Sequence, residues 1–204
     1  MLFNDTYKEL EFNSIGVYKE KGSKFFAYSY LVYNESDIKE KLEQIKKTKK
    51  SANHYCYAYV LYPDKSACRF SDDGEPSYTA GKPILRQIQS NNLTNILIIV
   101  VRYFGGIKLG IPGLIRSYKT AALNSIKKTK IITKIIKEQY EVIFKYSETQ
   151  DVMRIINEFN LEVVEKDFQM DCKILLQVSK KRSNDVLNAF KKNHKLIIKY
   201  QKIV

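Results

Sequence analysis

Six of the eight glycines and three of the four prolines in this 204-residue chain fall between Arg69 and Tyr118. Such residues mark backbone that turns tightly or closely approaches a neighbour. A stretch that collects them has to fold as connections between short rigid elements. It runs Arg69-Phe70-Ser71-Asp72-Asp73-Gly74-Glu75-Pro76, then Thr79-Ala80-Gly81-Lys82-Pro83, then Val100-Val101-Arg102-Tyr103-Phe104-Gly105-Gly106-Ile107-Lys108-Leu109-Gly110. Helical and strand patterns lie between these segments, so two polar loops held by one rigid unit are expected.

The kind of positive charge changes in the same place. Four of the six arginines (Arg69, Arg86, Arg102 and Arg116) lie there, against only two lysines, Lys82 and Lys108. Guanidinium is a planar fork that grips carboxylate or phosphate with two bonds, which an ammonium does not reproduce. Two readings stay open: the forks meet an anion from outside, or they pair with Asp72, Asp73 and Glu75 and hold the loops.

Taken in order, the pattern predicts strands at Phe12–Glu20 and Phe25–Tyr33 with a turn at Lys21-Gly22-Ser23-Lys24. Ser36 is expected to cap a helix with Ile38, Leu42 and Ile45 on its apolar face. That helix ends in Lys46, Lys47, Lys49 and Lys50, where cations suit the helix dipole. His54–Tyr62 reads as a strand with Tyr55, Tyr57 and Tyr59 on one face and Cys56, Ala58 and Val60 on the other. A tyrosine stripe can stack bases, although sheet cover is its commoner role. His54 is read as a hydrogen-bonded structural group.

Thr79 is expected to cap a helix from Ala80 to Gln89. The apolar run Ile96–Val101 predicts a central strand buried on both faces, with Arg102 at its end. Gly105 and Gly106 then lead to a helix over Pro112–Lys128, proline suiting its first turn. A glycine-rich turn entering a helix N-terminus presents backbone N–H groups and partial positive charge. With Arg69, Lys82, Arg102, Tyr103, Lys108 and Arg116 it forms the candidate anion or nucleic-acid site. The competing reading is a tight strand–helix connection whose glycines serve packing. Neither a Walker motif nor the dinucleotide fingerprint is present. Asp72, Asp73 and Glu75 could serve as a general base or hold a hard cation, yet no serine or cysteine lies in a nucleophile motif. No catalytic residue, metal or cofactor is assigned.

The second part carries its own pattern: a strand over 135–146, a helix opened by a capping box at Ser147-Glu148-Thr149-Gln150, strands at Leu161–Phe168 and Cys172–Val178 about a turn at Gln169-Met170-Asp171, a helix over 180–193, and a strand from Leu196. The order βαββαβ is that of the ferredoxin-like split motif. The fold class is therefore α+β, with domains at 1–130 and 131–204.

The net charge of +13 favours polyanionic partners such as RNA or the ribosome. No apolar run approaches the ~20 residues of a membrane span. Residues 1–20 lack a signal-peptide pattern, and three scattered cysteines make no disulfide framework. A cytosolic protein with no membrane partner and no evident DNA specificity is expected.

The segments quoted above, with Lys21-Gly22-Ser23-Lys24-Phe25 and His54-Tyr55-Cys56-Tyr57-Ala58, resemble the YigZ/IMPACT family over residues 10–128. Two departures stand out: Tyr55 where many bacterial members have a second histidine, and Ile111-Pro112 where many have a small residue. The resemblance implies an N-terminal domain of the ribosomal-protein type also found in translational GTPases, a ferredoxin-like C-terminal domain, and a cytoplasmic role in translation. Eukaryotic relatives act by binding a protein partner, so a docking module is a further expectation. A hydrolase using the three loop carboxylates is the enzymatic alternative.

Overall fold

The computed structural model describes residues 5–169 and 171–204. Residues 7–134 form one compact unit; residues 135–204, with Asp5 and Thr6, form another. In chain order the first part contains β1 (Thr6–Leu10), β2 (Ser14–Glu20), β3 (Ser23–Leu31), α1 (Glu35–Thr48), β4 (His54–Leu61), β5 (Ala67–Ser71), α2 (Gly81–Ser90), β6 (Ile96–Tyr103), α3 (Gly110–Ile126) and β7 (Ile131–Ile135). Five strands make a sheet in the order β2-β3-β6-β4-β5, every neighbouring pair antiparallel. β1 and β7 pair separately.

The central position of β6 explains its unbroken apolar run. Ile96, Ile98 and Val100 pack with Ile84, Ile88, Leu114 and Tyr118 of α2 and α3. Leu97, Ile99 and Val101 pack on the other face with Ile38 and Ile45 of α1. All six side chains of the run are fully buried, each stabilising the sheet by roughly 1.5–3 kcal/mol. A strand with polar residues on either face could not hold this position.

The helix starts differ from expectation in an instructive way. Asn34, not Ser36, caps α1, its side-chain oxygen accepting from the Asp37 amide at 2.9 Å. Thr79 does not cap α2; its hydroxyl bonds back to the Pro76 carbonyl.

The second unit contains β8 (Lys137–Phe144), α4 (Thr149–Phe159), β9 (Glu162–Phe168), β10 (Cys172–Ser179), α5 (Ser183–Lys191) and β11 (Ile197–Ile203). Its sheet runs β11-β8-β10-β9, again wholly antiparallel. α4 and α5 share one core with it through Val152, Ile156, Val186 and Phe190. The predicted capping box does not form. Glu148 ends a 3₁₀ turn, and its carboxylate accepts from Asn193 at 3.1 Å and Lys195 at 3.2 Å. Met170, at the centre of the expected β9–β10 turn, lies outside the described residues, as do residues 1–4 of the N-terminal stretch.

Candidate functional site at the end of the central strand

The antiparallel register brings the motif segments to one end of the first sheet. Arg102, next to last in β6, lies opposite His54, the first residue of β4, and opposite Phe25 of β3. β5 ends beside them at Ser71. The loops 72–80 and 104–109 leave from this end and enter α2 and α3.

Asp72 supplies the missing helix cap. Its Oδ1 accepts from the amides of Ala80 (3.0 Å) and Gly81 (2.8 Å), and its Oδ2 from Tyr78 (2.8 Å). A carboxylate there satisfies orphan donors and meets the positive end of the helix dipole. Asp73 turns the chain in a left-handed conformation (φ 42°), followed by Gly74 (φ 84°). Its carboxylate accepts from the Tyr55 amide at 2.7 Å, tying the loop to β4. His54 closes the same turn, its Nδ1 lying 2.8 Å from the Asp73 carbonyl. A carbonyl only accepts, so Nδ1 carries the proton in this bond.

Glu75 is the centre of the cluster. Its buried Oε1 accepts from Arg102 at 2.6 Å and from the Tyr118 hydroxyl at 2.8 Å, with His54 Nε2 at 3.9 Å. Cys56 donates to the Asp72 carbonyl at 2.9 Å and lies 3.4 Å from the Tyr118 hydroxyl. Burial is the main force pushing both the Cys56 thiol and the Tyr118 hydroxyl well above their ordinary pKa values. Neither is therefore poised to ionise near neutrality. The Arg102 guanidinium lies over the rings of Phe25 (5.5 Å) and Phe104 (5.6 Å). Its Nε is buried without a hydrogen-bond partner. This is a closed network of hydrogen bonds and one ion pair that locks two loops onto the sheet.

The predicted site is thus divided. His54, Asp72, Asp73, Glu75 and Arg102 come together, and the Arg102 fork faces inward onto Glu75. Tyr103 does not join them. Side chains alternate along a strand, so Tyr103 lies on the α1 face, edge-on to Phe26 at 5.8 Å. Arg69 is on that face too, exposed and opposite Tyr59 in register. Gly105 serves packing: a Cβ there would run into the backbone of Gly22, and its amide donates to Ser23 Oγ at 3.1 Å. Gly106 (φ 87°) and Lys108 are exposed. Lys82 is half-buried over the Tyr78 ring at 4.8 Å. Arg116 is exposed and pairs with Glu20. That pairing first, and the Tyr18 hydroxyl second, hold the Glu20 carboxyl below its usual range. Loop side chains Phe104 and Ile107 and helix residue Ile111 stand about half exposed beside these cations.

Two participants escaped the sequence reading, Tyr118 and Cys56. Tyr118 falls inside the helix expected over residues 112–128 with no role of its own, and Cys56 on the small-residue face expected for His54–Tyr62. The usable signal was chemical: a tyrosine on a buried stripe needs a partner for its hydroxyl.

Residues 21–126 match the family model of the Impact N-terminal domain. An IMPACT family member of Haemophilus influenzae is 32% identical over 163 residues, covering 79% of each chain. YvyE of Bacillus subtilis, also an IMPACT family member, is 43% identical over 96 residues, 47% of this chain and 44% of that one. The crystal structure of a hypothetical protein shares the fold, with a TM-score of 0.74 at 23% identity over 97% of this chain and 98% of that one. The order of segments that meet around Glu75 is the part of the chain the family model spans, and the chain belongs to the IMPACT family.

Proposed function

We propose that this IMPACT family member acts in translation as a non-catalytic regulator that binds RNA, on or off the ribosome. The phosphates are met by the exposed or half-exposed cations of the loop end, Lys82, Lys108 and Arg116. The supporting observation is how charge is sorted there. Asp72, Asp73 and Glu75 are spent on three amides, one amide and a buried guanidinium respectively. Lys21, Lys24 and Lys108 remain on the surface. These three carboxylates are turned inward and Glu20 is already paired with Arg116, so the phosphate takes the place of Glu20 at that guanidinium and meets a net positive field at the lysines. Relative to the sequence reading, Arg102 moves from ligand contact to support of the loop.

The test is RNA binding by fluorescence anisotropy across salt concentrations. Each phosphate contact on a single strand contributes about 0.7 to the slope of log affinity against log salt. The Lys82→Ala, Lys108→Ala, Arg116→Ala triple variant is expected to lower that slope by about 2. A slope unchanged in the triple variant, or wild-type protein that does not bind RNA, overturns the reading.

A ferredoxin-like second domain is supported by βαββαβ order with strands arranged fourth, first, third, second. A ribosomal-protein type of first domain is supported by the family's implied fold. The cytosol is the proposed location; among the described residues no helix is long and apolar enough to cross a membrane.

A further inference from the structure

The α1 face of the five-stranded sheet is only partly covered. α1 lies over Tyr59, Leu97, Ile99 and Val101. The tyrosine stripe of β4 is therefore floor for this helix: Tyr59 is buried, and the Tyr55 hydroxyl is tied to the Lys49 carbonyl at 2.6 Å. Towards the β2 edge the cover ends. Ile15 and Val17 of β2 are 55% and 42% exposed. Beside them Phe26 and Tyr103 stand half-buried, one ring edge against the other. A cleft of about 270 Å³ opens here, lined by Lys24, Phe26, Tyr28, Lys49 and Tyr103. Lys19 faces Lys24 across the β2–β3 pair on the same side. Lys49 sits at the end of α1 with its ammonium over the Tyr28 ring at 5.9 Å. Among the described residues no carboxylate lines the cleft.

We infer that this cleft stacks the bases of single-stranded RNA on Phe26 and Tyr103, while Lys19, Lys24 and Lys49 meet the adjoining phosphates. The inference rests on the RNA-binding reading above and gives that reading a place for the bases. Aromatic rings on a sheet with flanking cations are what sequence-tolerant strand binding requires, because every base has a face to stack. An extended peptide fits less well. The strands that carry the cleft's rings, β3 and β6, have both edges paired, and the sheet's open edge on this side is β2, which does not line the cleft, so the cleft itself offers a guest strand no backbone ladder.

The experiment compares a twelve-nucleotide adenine RNA with an abasic oligonucleotide of equal length and charge. Wild-type protein is expected to bind the first at least tenfold more tightly, and to quench 2-aminopurine placed in it. A Phe26→Leu, Tyr103→Leu variant keeps apolar cover and removes the ring faces. It is expected to lose about tenfold in affinity for the base-bearing RNA and nothing for the abasic one, with the salt slope intact. Equal binding of both oligonucleotides by wild type, still salt-dependent, overturns the stacking site and leaves RNA binding standing. Binding of neither overturns both. A polyglutamate peptide that binds as tightly as RNA and is equally weakened by the leucine substitutions would make the cleft a peptide site and end the assignment. If the double variant fails to fold, quenching by the wild type and by the single Tyr103→Leu variant decides.

Discussion

Removing Arg102 would leave Glu75 as a charge in a nearly dry site, still accepting from Tyr118 but with its cation gone. Breaking a buried pair from one side typically costs about 3–5 kcal/mol, a large share of a domain's stability. Arg102→Ala is therefore expected to lower the urea midpoint sharply. Adding Glu75→Gln should recover part of the loss, since an amide oxygen still serves Tyr118 and no charge is stranded. Strictly additive losses in that cycle would show the two side chains to be uncoupled. Thiol chemistry reads the same neighbourhood from another side. Cys68 is exposed, whereas Cys56 and Cys172 are buried. Titration of the native protein with an aromatic disulfide at neutral pH should show one fast thiol, abolished by Cys68→Ser. A second fast thiol that Cys56→Ser removes would mean that the Glu75 cluster opens readily.

Between elements, the glycines separate packing from conformation. Gly105→Ala forces a Cβ into the backbone of Gly22, so the β6–α3 loop and the β2–β3 turn cannot both stay in place. Gly106→Ala meets open space but keeps a left-handed φ, which costs an L-residue about 1–2 kcal/mol. Thermal melts should show the larger loss at Gly105; the reverse order would contradict the packing. The ion pairs that join elements carry a pH dependence. Glu20, held low by Arg116, ties β2 to α3. Glu148, held low by Asn193 and then Lys195, ties the start of α4 to the segment before β11. A folded pKa below the unfolded value, about 4.3 for glutamate, stabilises above that value, and the gain is lost as pH falls through the folded value. Melting temperature should fall below about pH 4, with a shallower fall in Arg116→Gln, Lys195→Gln protein. The same scale shows what the sequence could and could not reveal. β6 and α3 were legible because their burial is written into adjacent residues. The β4 alternation was legible for the same reason, down to which face each tyrosine takes. β5 was missed because an edge strand of five residues, Ala67 to Ser71, needs no clean alternation. The caps were misread because they are settled through space. Asp72 reaches α2 from eight residues upstream of Ala80, and Glu148 is drawn off by Asn193 and Lys195 from beyond α5. The inward turn of Arg102 is present in the sequence as strict alternation with Ile98 and Val100, whereas a cluster of guanidinium groups signals charge and not direction.

At the scale of the whole molecule, a net charge of +13 supplies attraction without saying where it acts. Locked carboxylates at the loop end and an aromatic cleft on the α1 face give that attraction two places at one end of the sheet, on the opposite faces taken by consecutive residues of β6: Arg102 belongs to the first and Tyr103 to the second. The most direct measurement is ultraviolet cross-linking of the full chain to a single-stranded RNA, with the modified peptides identified by mass spectrometry. Cross-links are expected in residues 19–28 and 103–116. Cross-links confined to residues 137–203 would contradict the account.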